Sequence, residues 1–361
     1  MNSSTSSSKF RVFGKGFLWL GFAPGLLLFL LGLWLEPVDG DLTRIGGFSE
    51  RDYGWRIPQA VYRHPLPVDD QTYRYHDLLV LGDSFATARP KLQWQNRIAL
   101  LTGWSIGTLS SYRMSIEQLL VDPEFKKHPP RLLIFESVER DLAARLPALE
   151  KDEGPGIKAR NWRMPPRKAQ TSAMDGAMVL ESRSHPFSEI QIPFVARYLM
   201  RTFQRDVLGM QPGKSLRLSL RRNDLFSSRK SADLLMFRDD FKKEAGWQAL
   251  GVEGLADRIR QLKARVESNG VTRLIVLVAP DKSTAYRTFL LNPSESPKSN
   301  LSALIARCSD IMPDTDRLLL QTIEKGEKDI YAPNDTHWGS SGHALIAELV
   351  LRFLGDLEGR N

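Results

Sequence analysis

From residue 17 to residue 35 the chain reads FLWLGFAPGLLLFLLGLWL, nineteen residues without a charge. A helix of about 20 apolar residues spans the hydrocarbon core of a bilayer, and a segment apolar on every side lacks the polar face that a soluble surface helix needs. Lys9, Arg11 and Lys15 precede it, and Glu36, Asp39 and Asp41 follow. By the positive-inside rule that asymmetry keeps the N-terminus in the cytoplasm and exports the rest. Trp19 and Trp34 sit near the ends like interfacial anchors, and Pro24 gives a kink that a span tolerates. The expected arrangement is a cytoplasmic basic N-terminus (residues 1–16), a single-pass signal anchor in a bacterial inner membrane (17–35) and a periplasmic remainder. A cleaved signal peptide is the rival reading. Against it, the apolar run is longer than a usual signal core, and no A-x-A-like site follows Leu35.

The exported part must fold by packing alone. Cys308 is the only cysteine, so neither an internal disulfide nor a thiolate metal cluster can form. A chain of 361 residues with 42% hydrophobic content can bury a large core, as one domain or one domain with a sizeable insertion. The net charge of +8 is uneven: residues 151–244 carry 19 Lys or Arg against 11 Asp or Glu, and the rest is balanced. That segment either meets an anionic surface or polymer or is a solvated basic face. Nucleic acid is not an expected partner of a domain outside the cytoplasm.

Residues 36–75, rich in Pro, Asp, Tyr and Arg without a sustained period, read as an ordered lead-in rather than a core element. The pattern sharpens at Asp77, where DLLVLGDS has the form of a buried parallel strand that empties into a loop. LQWQNRIALLTG predicts a helix closed by Gly103, and a weak second strand is expected near residues 104–107. SIEQLL predicts another helix, and RLLIFESVERDL a third strand from Arg131 to about Ser137. VEGLADRIRQLKARVESNG is amphipathic and ends at Gly270; the strand VTRLIVLVAP follows, and SSGHALIAELVLRFLGDL predicts a last helix capped by Ser340 or Ser341. Alternating strands and helices predict an α/β fold, a three-layer α/β/α doubly wound parallel sheet over residues 76–361. About a hundred residues separate the third and fourth strands, so a large insertion is expected over about 145–250, part of it loop (GPGIKARNWRMPPRKAQ), part helix (FVARYLMRTFQRDVLGM), and part of it a cap over the site.

In such sheets a ligand site lies beyond the carboxyl ends of the strands. Ser84 stands there, after Gly82 and Asp83, where the glycine permits a tight turn and the serine amide can face a developing oxyanion. A serine hydroxyl needs a base to take its proton, and the base needs a third group to fix its tautomer. NDTHWGSSGH supplies that pair: in an extended segment Asp335 and His337 point the same way, so the carboxylate reaches Nδ1 and leaves Nε2 for the serine. Taken singly, Gly-Asp-Ser is also an ordinary strand-ending turn, and Asp-x-His also a surface loop or a pair of metal ligands. No further His or carboxylate cluster supports a metal, His343 is expected to be exposed or capping, and no cofactor is called for.

The argument is the conjunction of the two signals at one sheet edge. LLVLGDSFA and DTHWGSSGH resemble the first and last sequence blocks of SGNH hydrolases, over residues 76–142 and 250–355. More narrowly, IFESVERDL, LVAPDKSTAY and NDTHWGSSGHALIAEL resemble the periplasmic alginate O-acetyltransferases (the AlgX/AlgJ group). There the Asp-x-His half precedes the Gly-Asp-Ser half; here the serine comes first, which leaves the triad's roles unchanged. The resemblance implies a serine O-acetyltransferase with Ser84, His337 and Asp335 as triad, a cell-envelope or extracellular polysaccharide as acceptor, and a membrane-bound O-acyltransferase as acetyl source. An esterase that removes acetyl groups, or a non-catalytic polysaccharide-binding protein on the same fold, are the alternatives. The SGNH pattern also expects a Gly and an Asn in the oxyanion hole, but the Asn block here is ESVERDL. The expected donors are therefore the Ser84 backbone with Gly107 or Ser110, and Arg140 in place of the Asn, unless Arg140 pairs with Glu136 or Glu139. Lys282 and Tyr286, in the loop after the fourth strand, are expected to contact acceptor, or else to begin a helix and pack a tyrosine.

Overall fold

The computed structural model describes residues 5–68, 72–148, 162, 164–168, 177–183 and 191–358. Eight strands occur among them: β1 (Gln59–Tyr62), β2 (Leu78–Gly82), β3 (Ile106–Ser110), β4 (Leu132–Val138), β5 (Met178–Glu181), β6 (Ser215–Ser219), β7 (Asp233–Phe237) and β8 (Arg273–Ala279). Four of them form a parallel sheet in the order β3-β2-β4-β8. All but β3 (IGTLS) are short apolar runs, and because side chains alternate across a strand each feeds two layers at once. Leu78, Val80, Leu132, Ile134, Ile275 and Leu277 enter the cluster on one face. Leu79, Leu81, Leu133, Phe135, Leu274 and Val276 enter the other.

Helices complete both layers, as the α/β/α expectation requires. Trp94–Thr102, Thr315–Glu324 and Ser340–Glu358 cover the first face through Ile98, Leu319, Ile323, Ile346 and Val350. Ile116–Val121, Lys242–Glu267 and Leu301–Arg307 cover the second through Leu119, Leu255, Ile259, Leu262 and Leu304. Gly103, at φ 68°, ends the first of these helices, and Ser115 closes a full capping box on Ile116–Val121. Two boundaries differ from the sequence reading. β3 lies at 106–110, not 104–107, and Lys242–Glu267 begins well before residue 253, with a non-helical break at Gly251 where φ is 65°.

Part of the expected loop GPGIKARNWRMPPRKAQ lies outside the described residues. The rest of the insertion contributes β5, which pairs antiparallel with β1; the helix Ile192–Asp206; and the β6–β7 pair, whose Leu218, Leu234 and Met236 enter the first core layer. At the N-terminus, Thr5–Leu35 is one helix, and its Phe13–Leu35 part is long and apolar enough to cross a membrane. That helix fits either an anchor or a signal sequence.

Candidate active site

β2 ends at Gly82, and the chain turns at once into the short helix Ser84–Thr87. The glycine is required for close approach: a Cβ there would lie 2.6 Å from both Ala86 Cβ and Glu136 Oε2. Asp83 caps the turn, its Oδ1 accepting from the Phe85 amide and its Oδ2 from the Val138 amide at 2.7 Å, so it ties the end of β2 to the end of β4. Behind it, Glu136 Oε2 accepts from the Asp83 amide at 2.8 Å. Burial, and then the Asp83 charge, push the Glu136 carboxyl well above the ordinary carboxylate range. Ser84, the first residue of the short helix, is thus held on a rigid turn and remains half-buried.

The second half of the site is a loop closed on itself. Tyr331 and Trp338 form an antiparallel bridge, Ala332 N–H donates to the His337 carbonyl, and Asp335 N–H donates to the Ala332 carbonyl. The segment is therefore a tight turn, not the extended run expected, yet it produces the expected pairing. Asp335 Oδ1 lies 2.6 Å from His337 Nδ1 and also accepts the His337 amide at 3.0 Å. The Phe85 ring packs on the imidazole at 4.9 Å, which brings the Ser84 turn and the Asp-x-His turn together. His337 Nε2 is buried with no hydrogen-bond partner, so the bond from the Ser84 hydroxyl is not made in this structure.

Charge around the pair is arranged for a basic imidazole. Burial raises the Asp335 carboxyl, but Arg89 and then His337 outweigh it and hold the group far below the ordinary range. Arg89 Nη2 donates to Asp335 Oδ2 at 2.6 Å, from a residue at φ 54°, a left-handed conformation that is uncommon outside glycine. Burial lowers the His337 pKa, while the Asp335 charge and hydrogen bond more than offset it, leaving it raised above 6.5.

Arg89 escaped the sequence reading, and so did the lead-in's part in the site. Asp41 accepts from the Thr336 amide (2.9 Å) and hydroxyl (2.6 Å), and its own amide faces Asp335 Oδ2 at 3.3 Å. The amides of Leu42 and Thr43 donate to the Asn334 carbonyl, and Glu50 accepts from the Asn334 side chain and the Gly40 amide. A Cβ on Gly40 would stand 2.0 Å from the Asn334 carbonyl oxygen. Residues 39–50 are thus the outer wall of the Asp-x-His turn.

Donor atoms of Asp41, Asp335 and His337 lie within 4.8 Å of one another, a grouping that could hold a cation. Their hydrogen bonds argue otherwise, because Arg89 already occupies Asp335 Oδ2 and Thr336 engages both Asp41 oxygens.

The remaining expected site residues are dispersed. Ser110 pairs with Gly82 at the carboxyl edge, close to the turn, but Gly107 pairs with Leu79, three residues lower. At about 3.3 Å per residue that is roughly 10 Å from the edge, out of reach of an oxyanion there; the glycine instead makes room for His76, whose ring would lie 2.3 Å from a Cβ. Arg140 pairs with neither Glu136 nor Glu139: it bonds Asp281 at 2.6 Å and Asp240 at 3.5 Å, and only 11% of its side chain is exposed. Lys282 is buried and points inward, donating to the carbonyls of Ala332 (2.7 Å), Pro333 (3.0 Å) and Asp335 (3.1 Å). It fastens the Asp-x-His loop from beneath. Tyr286 is likewise core, its hydroxyl accepting from the Tyr331 amide. His343, expected to be exposed or capping, is buried against Trp338, and burial pushes its pKa down to about 3.

At the sheet edge itself, Arg145 stands beside the turn, with Nη1 3.6 Å from Asp83 Oδ2, a bond to the Ser111 hydroxyl and its guanidinium over Tyr112. No protein-family model, no curated protein and no solved structure matches the chain.

Proposed function

We propose that the chain is a serine acyltransferase anchored in the bacterial inner membrane, with its catalytic domain in the periplasm. Its substrate would be an acetyl group passed through Ser84 to a hydroxyl of a cell-envelope or extracellular polysaccharide. The observation that carries this reading is the Asp335–His337 pair, with Nδ1 engaged at 2.6 Å and Nε2 buried, unpartnered and beside the Ser84 turn. An unpaired buried ring nitrogen is costly unless a ligand or nucleophile uses it.

In the first step His337 Nε2 takes the Ser84 proton, Oγ attacks the acyl carbonyl of the donor, and the imidazolium returns the proton to the leaving group. Asp335 keeps Nδ1 protonated and stabilises the imidazolium. In the second step a sugar hydroxyl loses its proton to His337 and attacks the acyl-enzyme, forming the new ester and freeing Ser84. The Ser84 amide, first in its helix, would face the oxyanion. A membrane-bound O-acyltransferase is the proposed acetyl source, and an anchor would keep the domain beside it. Water in place of the sugar gives hydrolysis with the same residues.

A fluorophosphonate probe tests the nucleophile. The full chain in detergent should be labelled on Ser84, and Ser84→Ala should be unlabelled with its melting temperature unchanged; labelling that survives in Ser84→Ala removes the serine from this role.

A further inference from the structure

The helix Ile192–Asp206 is amphipathic in the wrong sense for a protein in water. Ile192, Leu199, Met200 and Phe203, with Val207 at its C-terminal end, follow helical spacing along one stripe and are 40% to 65% exposed. Its opposite side meets the body of the protein. Arg205 donates to the carbonyls of Gly46 (2.8 Å) and Gly47 (2.7 Å) and lies 4.1 Å over the Phe48 ring, and Arg197 reaches the Arg44 carbonyl. Phe194 and Val195 are buried on that side as well. A soluble domain gains nothing by turning Arg205 inward and five large apolar side chains outward.

Position identifies what covers the stripe. The helix packs against Thr5–Leu35, whose Phe13–Leu35 part has the length and composition of a membrane span. It also packs against Asp41–Gly46, the first helix after that span, so it sits where the span enters the folded domain. Arg51 stacks 4.7 Å over Trp34 at the same root, and Arg44 and Arg197 are exposed beside the stripe, suited to lipid phosphates. We propose that Ile192–Asp206 lies in the membrane interface, its apolar stripe among the upper acyl chains and its flanking arginines at the headgroups. This goes beyond acyl transfer and rests only on the anchor reading of the N-terminal helix. With two contacts at one root, the domain would be held at a fixed tilt to the bilayer and not swing on a tether.

The test uses the full chain in vesicles of phosphatidylcholine and phosphatidylglycerol. Cys308, the only cysteine, is buried and stays unlabelled, so Phe203→Cys and, on an exposed position of the separate helix Ile116–Val121, Val121→Cys each carry one environment-sensitive dye. At position 203 the dye should be quenched by lipids brominated high on the acyl chain and shielded several-fold from iodide relative to position 121. Adding Met200→Glu and Val207→Glu should restore iodide access at 203 with the melting temperature unchanged, because both residues are already half exposed. Equal iodide quenching at 203 and 121 would overturn the proposal. So would a dye at 203 shielded from iodide and from brominated lipid alike, since that would mean a protein partner or a second copy covers the stripe. Intact mass of the chain recovered from membranes reports whether residues 1–35 are retained, so loss of the anchor is read separately from failure of the helix contact.

Discussion

Arg89→Met removes the guanidinium that holds the outer oxygen of Asp335. In the structure Arg89 Nη2 lies 2.6 Å from Asp335 Oδ2 and 3.8 Å from an Asp39 oxygen, with 23% of the Arg89 side chain exposed and 4% of the Asp335 side chain. Removing one partner of a buried ion pair costs about 3–5 kcal/mol. The partial exposure lets water replace the guanidinium, which places the cost at about 3 kcal/mol, or a fall in melting temperature of about 4 °C for a chain of this size. The kinetic consequence is more specific. Arg89 is one of the charges that lower the His337 pKa, while Asp335 raises it. With Arg89 gone, the imidazole holds its proton to higher pH, so the acid limb of the pH–rate profile for acetyl-ester cleavage moves upward. Thermal melts and a profile from pH 5 to 9 read both effects. A variant with an unmoved or downward-shifted acid limb would refute the electrostatic role, and an unchanged melt would refute the pairing.

Lys282→Met leaves the Pro333 and Asp335 carbonyls without a donor, and the Ala332 carbonyl with the Asp335 amide alone, and should cost at least about 2 kcal/mol in a denaturant melt. Burial pushes the Lys282 pKa down to about 7 from 10.5, so between those values the unfolded chain binds the extra proton and stability rises with pH; the variant should lose that rise, measured from pH 7 to 9. Asp335 is shifted the other way, so its contribution is present above its ordinary 3.8 and lost as pH falls below it, and Asp335→Asn should flatten the acid side of the stability curve. Gly40→Ala would drive a methyl into the Asn334 carbonyl and should lower acyl transfer with Ser84 untouched; a full rate would mean the lead-in does not position the loop.

The parallel sheet was readable because its signals are local. LLVLG, LLIFESV and RLIVLVA are apolar runs, and the helices between them carry a 3.6-residue period with caps such as Gly103 and Ser115. β3 was weaker because IGTLS mixes Gly, Thr and Ser into the strand and owes its burial to neighbours on the sheet. The Asp-x-His pair was legible from its spacing alone, although the turn that creates it is built by contacts with Ala332 and Trp338. The lead-in was not legible, since Asp41 meets Thr336 across 295 residues and nothing local marks either as a partner. Arg89 and Arg140 fail for the same reason. An arginine in a loop carries no sign of which distant carboxylate it will meet, and Arg140 met Asp281 and Asp240 in place of the glutamates beside it.

The most direct measurement is an acetyl chase on the full chain. An acetyl ester donor is added, the protein is digested, and the site of acetylation is mapped by mass spectrometry before and after an oligosaccharide is supplied. The account predicts acetyl on the peptide bearing Ser84, absent from Ser84→Ala and from His337→Ala, and transferred to the oligosaccharide on the chase. A wild-type chain that never carries acetyl on Ser84, or carries it equally in His337→Ala, would contradict the assignment of this serine and histidine as nucleophile and base.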